Sequence, residues 1–187
     1  MLSLTQLNEQ HKSDKGTAGK KHGGNELEAH SYISHYYENN FLPLKEKTKT
    51  VVEIGVFTGA SMKLWHDYFL NAKIYGIDKK PRWNNDKDYN NRCKVIIGSS
   101  NDISTYKEIP NDIDIVIDDG SHKLVDQIKS FGILFPKLKK GGLYIIEDIG
   151  SIDEVKQQFL NLHSSAKIYD FRNITNRHDD VLVEIPK

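Results

Sequence analysis

The sequence has one cysteine, no excess of either charge and no long apolar run. A lone Cys93 cannot form a disulfide within the chain or a cysteine-based zinc site, which favours a reducing compartment. The 26 Lys and Arg residues balance the 26 Asp and Glu residues, so no net field attracts nucleic acid. No stretch approaches the roughly 20 apolar residues of a membrane span, and the N-terminus lacks the apolar core of a signal peptide. We therefore expect a cytoplasmic protein with neither a nucleic-acid nor a membrane partner.

The length of the chain predicts one globular core. Its 187 residues suit a single domain, and we expect no second core. Within it we distinguish an N-terminal helical cap, residues 1–45, from a cofactor-binding domain, residues 46–187. No internal repeat or low-complexity tract argues for a further division.

The N-terminal part contains a loop followed by a helix. A glycine- and lysine-rich stretch at 12–24 predicts a mobile loop, and its lysines indicate a solvated segment more than a phosphate site. The apolar residues that follow recur at spacings of three and four, which predicts one face of a helix ending near Pro43. These residues are Ala29, Ile33, Tyr36, Tyr37 and Phe41.

From Thr50 onward, short apolar runs alternate with helical stretches. The runs are TVVEIG, KIYGID, KVIIG, IDIVID and LYIIED. Such an alternation predicts a parallel sheet covered by helices on both faces. Near the C-terminus, AKIYDF and DVLVEI predict an antiparallel pair that closes one edge of this sheet.

The ends of the first two strands carry the features of a nucleotide-like site. Open α/β sheets bind ligands beyond the carboxyl ends of their strands. The first strand ends at Glu53 and passes through Gly55 and Gly59 into a helix near Ser61, where backbone amides favour anionic groups. The second strand ends in Asp78, at the distance where dinucleotide-type sites place an acid that accepts hydrogen bonds from ribose.

The turn after the third strand offers polar groups for an adenine. Its sequence, GSSND, includes Ser100 and Asp102. Asp102 is equally well explained as the residue that caps the following helix.

The fourth and fifth strands each end in a pair of acids, Asp118 and Asp119 and then Glu147 and Asp148. Repulsion makes such a concentration of carboxylates costly unless a cation is present. Oxygen ligands with water suit Mg²⁺ or a similar hard ion. His122 follows closely, and histidine titrates near neutral pH, which suits a general base. The alternative is a capping Asp and His beside a solvated pair of acids.

Taken together, these motifs resemble a known family. EIGVFTG, the acid Asp78, IDDGSH and GGLYIIEDI are similar to class I S-adenosylmethionine-dependent methyltransferases. Within that class the chain resembles the metal-dependent sugar O-methyltransferases of the mycinamicin and demethylmacrocin type. SDKG and HSYISHYYENNFLPL resemble a segment that precedes the core of these enzymes, so the resemblance runs from about Ser13 to Asp180.

The resemblance implies a Rossmann-like α/β fold, with a mostly parallel seven-stranded sheet, an antiparallel last strand and helices on both faces. Residues 46–187 would then be the S-adenosylmethionine-binding domain. The cofactor would lie over Glu53 to Gly59, with its ribose at Asp78 and its adenine near Ser100 and Asp102. We count Ser61 and Asp118 among the cofactor-binding residues as well.

The resemblance also implies roles for the acids and the N-terminal segment. Asp119 and Asp148 correspond to ligands of Mg²⁺ or a similar divalent cation, Glu147 is a further candidate, and His122 corresponds to the base that accepts a substrate hydroxyl proton. The segment from Ser13 to Tyr37 would fold over the cofactor and bring Lys15, Tyr32 or Tyr36 near it. The implied acceptor is a small sugar or polyol, and formation of a homo-oligomer is left open.

Two alternatives remain at this point. A nicotinamide-dependent oxidoreductase shares the glycine turn and the acid after the second strand, although IDDGSH has no evident role in hydride transfer. A non-catalytic cofactor-binding module would keep the fold without turnover, although the retained acids and His122 argue against decay.

We expect S-adenosylmethionine or S-adenosylhomocysteine to raise the melting temperature of the protein. A ligand that binds only the folded state stabilises it by about 2.7 kcal/mol at a hundredfold excess over its dissociation constant. Nicotinamide dinucleotides should leave the melting temperature unchanged. Differential scanning fluorimetry measures both, and the opposite pattern would favour the oxidoreductase.

Overall fold

The computed structural model describes residues 2–16, 29–83, 89 and 91–187. Lys20, Lys21 and most of the predicted mobile loop at 12–24 lie outside the described residues, as does the middle of the predicted lid from Ser13 to Tyr37. Within the described ranges, no helix combines the length and the apolar character that crossing a membrane requires.

The described residues contain one seven-stranded sheet. Its strands are β1 (Thr50–Ile54), β2 (Lys73–Asp78), β3 (Cys93–Ile97), β4 (Ile113–Asp118), β5 (Leu138–Ile146), β6 (Lys167–Asp170) and β7 (Val181–Pro186). Their order is β3-β2-β1-β4-β5-β7-β6. Strands β1 to β5 are parallel, and β7 is antiparallel to both β5 and β6. The predicted fold class and the predicted antiparallel pair at the edge are both confirmed.

The strand order reverses between β1 and β4, and this position determines where the loops meet. Ile54 pairs with Asp118, so the residues that follow each strand leave the sheet side by side. The amide of Asp119 donates to the carbonyl of Ile54 at 2.9 Å, and the amide of Glu147 donates to that of Asp118 at 3.0 Å. The loops after β1, β4 and β5 therefore share one edge of the sheet, where open α/β sheets bind ligands.

Helices cover both faces of the sheet. In the described residues they are α1 (Leu4–His11), α2 (Glu38–Phe41), α3 (Ala60–Tyr68), α4 (Leu124–Leu134), α5 (Ile152–Leu160) and α6 (Arg172–Thr175). Helix α1 was not predicted from the sequence, although Ser3 and Gln6 form a capping box, which is a recognisable signal for the start of a helix.

The predicted helix that includes Ala29 begins later than expected. Ala29 precedes it, a π-helical turn covers Ile33–Tyr37, and α2 follows directly. The amides of His30 and Ile33 donate to the carbonyls of Asp14 and Lys15, at 2.7 and 2.9 Å. These two hydrogen bonds hold residues 14 and 15 against the start of the helical turn.

Among the described residues, the core consists of two apolar clusters. One includes Trp65 of α3 together with Leu4, Tyr37 and Phe41 from the N-terminal part, all essentially inaccessible to solvent. The other lies around the buried Tyr144 of β5. Residues before position 45 thus share a core with the sheet, and the division into a cap and a domain stays a prediction.

Asp180, just before β7, connects the N-terminal part to the sheet edge. Its buried carboxylate accepts hydrogen bonds from the amide and hydroxyl of Ser31, at 3.2 and 2.8 Å, and from the Thr175 hydroxyl at 2.6 Å. Burial alone would raise the pKa of Asp180, but hydrogen bonds from His30, Thr175 and Ser31 outweigh it and lower the pKa. The ionised carboxylate therefore stabilises the fold above the unfolded pKa of about 3.9, and this contribution is lost as the pH falls through the lowered folded value.

We expect Asp180→Asn to destabilise the protein by about 1–3 kcal/mol at neutral pH, because buried donors lose a charged acceptor. In a chain of this size that corresponds to roughly 2–4 °C of melting temperature for each kcal/mol. The gap between the two proteins should close as the pH falls below about 4. Thermal denaturation followed by circular dichroism across this range measures it.

The control is Asp112→Asn, since Asp112 is exposed. Its stability should stay within about 0.5 kcal/mol of wild type. A gap for Asp180→Asn that does not change with pH would contradict the role of the ionised carboxylate.

Candidate active site

Two adjoining cavities open at the carboxyl edge of the sheet. The first has a volume of about 290 Å³, and the second about 140 Å³. Both are lined by Gly55, Asp78 and Gly120, so they form one continuous cleft. The N-terminal segment contributes Ser13 and Asp14 to the first cavity.

Gly55 allows the loop after β1 to lie against the loop after β4. Its φ is +95°, and a Cβ at this position would overlap the backbone carbonyl of Asp119. Gly59, at φ +79°, packs in the same way against the Trp83 ring. Only glycine meets both requirements without strain, so these glycines bring the cleft walls together.

Asp78 holds the glycine loop from the end of β2. Its Oδ2 accepts hydrogen bonds from the amides of Val56 and Phe57 at 3.0 and 2.9 Å, and its Oδ1 accepts from the amide of Lys80 at 2.8 Å. Asp78 lines both cavities, which is the position expected of an acid that contacts a ribose. Ser100 lines only the second cavity, and Ser61 lines only the first.

Asp119, His122 and Asp148 come together on the wall of the first cavity. One ligand atom from each lies within 4.8 Å of the other two. His122 has a φ of +54° and is exposed to the cleft. Two carboxylates at this separation fit a hard divalent cation with water completing its coordination, and the imidazole lies beside them.

Two side chains from the N-terminal part of the chain, those of Tyr32 and His30, contact Asp148. The Tyr32 hydroxyl donates to Oδ1 at 3.0 Å, and His30 Nε2 lies 3.2 Å from Oδ2. Burial alone would raise the pKa of Asp148, but the hydrogen bond and charge of His30 outweigh it and keep the pKa below its usual range. Asp148 is therefore available as an anionic ligand.

Beneath the cleft, the Lys15 ammonium lies among three carboxylates. It is 2.5 Å from Asp119 Oδ2 and 3.4 Å from Glu53 Oε1, and it also contacts Glu147. Burial opposes its charge, but Asp119, Glu147 and Glu53 together raise the pKa of Lys15. Burial also raises the pKa of Glu53, to about 7, and that of Asp119. One lysine thus leaves these acids incompletely compensated, and a further cation would stabilise them.

Three predicted cofactor residues, Tyr36, Asp102 and Asp118, line neither cavity in the structure, and their contact with a cofactor stays a prediction. The Tyr36 hydroxyl donates to Glu184 Oε2 at 2.6 Å, away from the cleft. Asp102 is exposed and accepts from the amide of Ser104 at 2.9 Å, so the capping alternative describes it. Asp118 is buried below the sheet edge, where it accepts from Ser130 and Tyr144, and burial raises its pKa to about 6.

Three further predicted residues, Lys15, Glu53 and Glu147, support the cleft without lining it. Lys15 and Glu53 lie beneath it, and the Ser61 hydroxyl donates to Glu53 Oε2 at 2.8 Å. Glu147 does not join the cluster of Asp119 and its partners, because Lys15 and the Tyr37 hydroxyl hold its carboxylate. The reason is geometric, since neighbouring residues at a strand end point in opposite directions.

His30 is the residue that the sequence reading missed. It is buried, stacks on Tyr32 with ring centroids 4.7 Å apart, and has Nδ1 3.3 Å from Asp180 Oδ1. Burial would lower its pKa, but hydrogen bonds to Asp148 and Asp180 raise it to about 10. No spacing in the sequence indicates this role, because the two acids are far away along the chain.

Comparison with known proteins places these features in a family. Residues 52–149 match the family described as Methyltransferase domain. The 8-demethyl-8-alpha-L-rhamnosyl tetracenomycin-C 2'-O-methyltransferase of Streptomyces olivaceus is 33% identical over an alignment of 139 positions, and the alignment covers 69% of this chain and 36% of the relative. The mycinamicin VI 2''-O-methyltransferase of Micromonospora griseorubida is 34% identical over an alignment of 128 positions, and the alignment covers 63% of this chain and 31% of the relative. The chain spans about a third of the length of these relatives.

A solved structure has the same fold. MycE methyltransferase from the mycinamycin biosynthetic pathway, in complex with Mg, SAH and mycinamycin VI, superimposes with a TM-score of 0.72. The identity is 24%, and the alignment covers 100% of this chain and 54% of MycE. This likeness supports the Rossmann-like architecture derived from the strand order.

We expect Gly55→Ala to destabilise the protein and to displace Asp119. The left-handed φ costs roughly 1–3 kcal/mol for a residue with a Cβ, and the overlap with the Asp119 carbonyl adds to that cost. Gly132→Ala in α4 is the control, because nothing lies within 4 Å of its added Cβ. That change should stabilise the helix by up to about 1 kcal/mol. Equal stability of the two variants by chemical denaturation would contradict the close approach of the loops.

Proposed function

Because this chain belongs to the Methyltransferase domain family, we propose that it transfers a methyl group from S-adenosylmethionine to a hydroxyl of a small sugar-like acceptor, assisted by a divalent cation. The observation that carries the proposal is the convergence of Asp119, His122 and Asp148 on the cleft that Gly55 and Asp78 also line. A cofactor site and a cation site in one cleft suit a reaction that joins two substrates.

The relatives support the proposed chemistry. Both curated proteins are named as O-methyltransferases, one acting on a rhamnosyl tetracenomycin and the other on mycinamicin VI. MycE was solved with Mg and SAH. Because the present chain spans only part of these proteins, the sugar-like acceptor is proposed as a class and not as a particular compound.

The cofactor would occupy both cavities. Asp78 would accept hydrogen bonds from the ribose hydroxyls while it keeps the amides of Val56 and Phe57 in place. Ser100 lines the second cavity and would lie near the adenine. S-adenosylmethionine supplies a methyl group on a positively charged sulfur, which the acidic first cavity favours.

The residues of the first cavity would prepare the acceptor. A divalent cation held by Asp119 and Asp148 would lower the pKa of a bound hydroxyl. His122 faces the same cavity and would take the proton from that oxygen. The walls would hold the oxygen in line with the methyl group, and well-oriented intramolecular reactions show that such positioning lowers barriers by up to about 7–11 kcal/mol.

We expect the site variants to lose turnover while keeping the cofactor. Asp119→Asn and Asp148→Asn should abolish metal-dependent methyl transfer and leave S-adenosylhomocysteine affinity within about threefold, because the acids lie at the metal side of the cleft. His122→Ala should lower turnover by roughly a hundred- to ten-thousandfold, the usual range for one general base. Transfer of labelled methyl groups to a panel of sugars, with and without a chelator and Mg²⁺, measures turnover, and calorimetry measures affinity.

Matched controls separate catalysis from folding. Asp112→Asn and His178→Ala change exposed residues that do not line the cleft, and both should keep full turnover. Transfer that is indifferent to the chelator, with full activity in His122→Ala, would refute the metal and base roles. Cofactor binding without transfer to any acceptor would favour the non-catalytic alternative.

A further inference from the structure

Lys15 occupies a position that the proposed mechanism does not use. Its side chain is 2% exposed, and its ammonium contacts carboxylates that follow or end three different strands. Glu53 belongs to β1, Asp119 follows β4, and Glu147 follows β5. One cation from the 13–16 segment therefore joins the carboxyl ends of three strands.

Hydrogen bonds and close packing fix the backbone on both sides of the Lys15 side chain. The Lys15 carbonyl accepts from the amide of Ile33 at 2.9 Å, and the preceding Asp14 carbonyl accepts from His30 at 2.7 Å. A Cβ on Gly16 would overlap Asn8 and Ile33, so this glycine lets the segment lie flat against its neighbours. These backbone contacts hold Lys15 at a position from which its ammonium contacts the acids.

This contact orients Asp119 in particular. Lys15 engages Oδ2, while among the described residues Oδ1 of Asp119 has no hydrogen-bond or ion-pair partner. Without the ammonium, the buried Glu147 and the partly exposed Asp119 would be two uncompensated carboxylates in proximity, and their repulsion would favour their separation. The lysine therefore keeps one oxygen of Asp119 in place and leaves the other for a ligand.

We propose that Lys15 is a positioning residue that places Asp119 for the divalent cation, so that docking of the 13–16 segment is a condition of metal binding. This inference rests on the proposed function, because it concerns the same cation. It adds that the N-terminal segment acts through Asp119 and contacts neither acceptor nor cofactor through Lys15.

The positioning role and a purely electrostatic role of Lys15 predict opposite changes in Mg²⁺ affinity when the lysine is removed. If Lys15 contributed only its positive charge, removing it would strengthen the binding of Mg²⁺ to the neighbouring acids. If Lys15 positions Asp119, removing it weakens Mg²⁺ binding although a repulsive charge is gone. The sign of the change in affinity therefore distinguishes the two roles.

We expect Lys15→Met to weaken Mg²⁺ binding at least tenfold while S-adenosylhomocysteine affinity stays within about threefold. Lys15→Arg keeps the charge and should recover Mg²⁺ affinity to within a few-fold of wild type. Lys94→Met is the matched control, because Lys94 forms an exposed ion pair with Glu108, and this variant should bind Mg²⁺ as wild type does. Calorimetry with Mg²⁺ and the electron paramagnetic resonance signal of bound Mn²⁺ measure affinity on the full chain without requiring turnover.

A measurement on wild type covers the outcome in which Lys15→Met does not fold. If metal binding needs the docked segment, Mg²⁺ must stabilise docking in return. The amides of His30 and Ile33, which donate to the segment, should then exchange their hydrogens more slowly with Mg²⁺. Amides of the β2–β3 pair serve as the reference for a global change in stability.

Four outcomes decide between these roles. Unchanged or tighter Mg²⁺ binding in Lys15→Met overturns the positioning role, and so does exchange at His30 and Ile33 that ignores Mg²⁺. Wild type that binds neither S-adenosylhomocysteine nor Mg²⁺ overturns the proposed function itself, and the positioning role with it. Weaker binding in Lys15→Met with recovery in Lys15→Arg supports both.

Discussion

Repulsion among carboxylates at one edge of the sheet is the constraint on which the rest of the site depends. Glu53, Asp119, Glu147 and Asp148 lie in or beneath a single cleft, and burial alone disfavours the charge of each. Parallel strands create this concentration, because their carboxyl ends meet at the same edge. The chain must therefore bring compensating charge to a place where the strands themselves supply only acids.

That charge comes from the N-terminal part of the chain, before position 45. Lys15 lies among the acids beneath the cleft, and His30 lies between Asp148 and Asp180. This N-terminal part also shares an apolar cluster with α3, so hydrophobic burial as well as ion pairs stabilises its packing against the sheet. The fold and the proposed function thus depend on the same contacts. Lys15 and His30 compensate the charge of the acids at the sheet edge, and the same two residues orient these acids.

The pairs of acids at the strand ends show what a sequence pattern predicts and what it leaves undecided. IDD and IIED indicate that carboxylates end two strands, and the structure has them there. The pattern does not say that Asp118 turns down to Ser130 while Asp119 turns up to the cleft. It likewise does not separate Glu147 below from Asp148 above, since the two residues of each pair are chemically almost alike.

The sequence by itself determined the alternation of strands and helices, the glycine turn, the acids at the strand ends and the family resemblance. These features depend on local periodicity and on short motifs, which a linear reading detects. Only the tertiary structure decided which carboxylates face the cleft, that Tyr36 turns to Glu184, and that His30 and Lys15 are the counterions. The physical reason is that electrostatic pairing depends on distance in space, and Lys15 and Asp119 lie 104 positions apart along the chain.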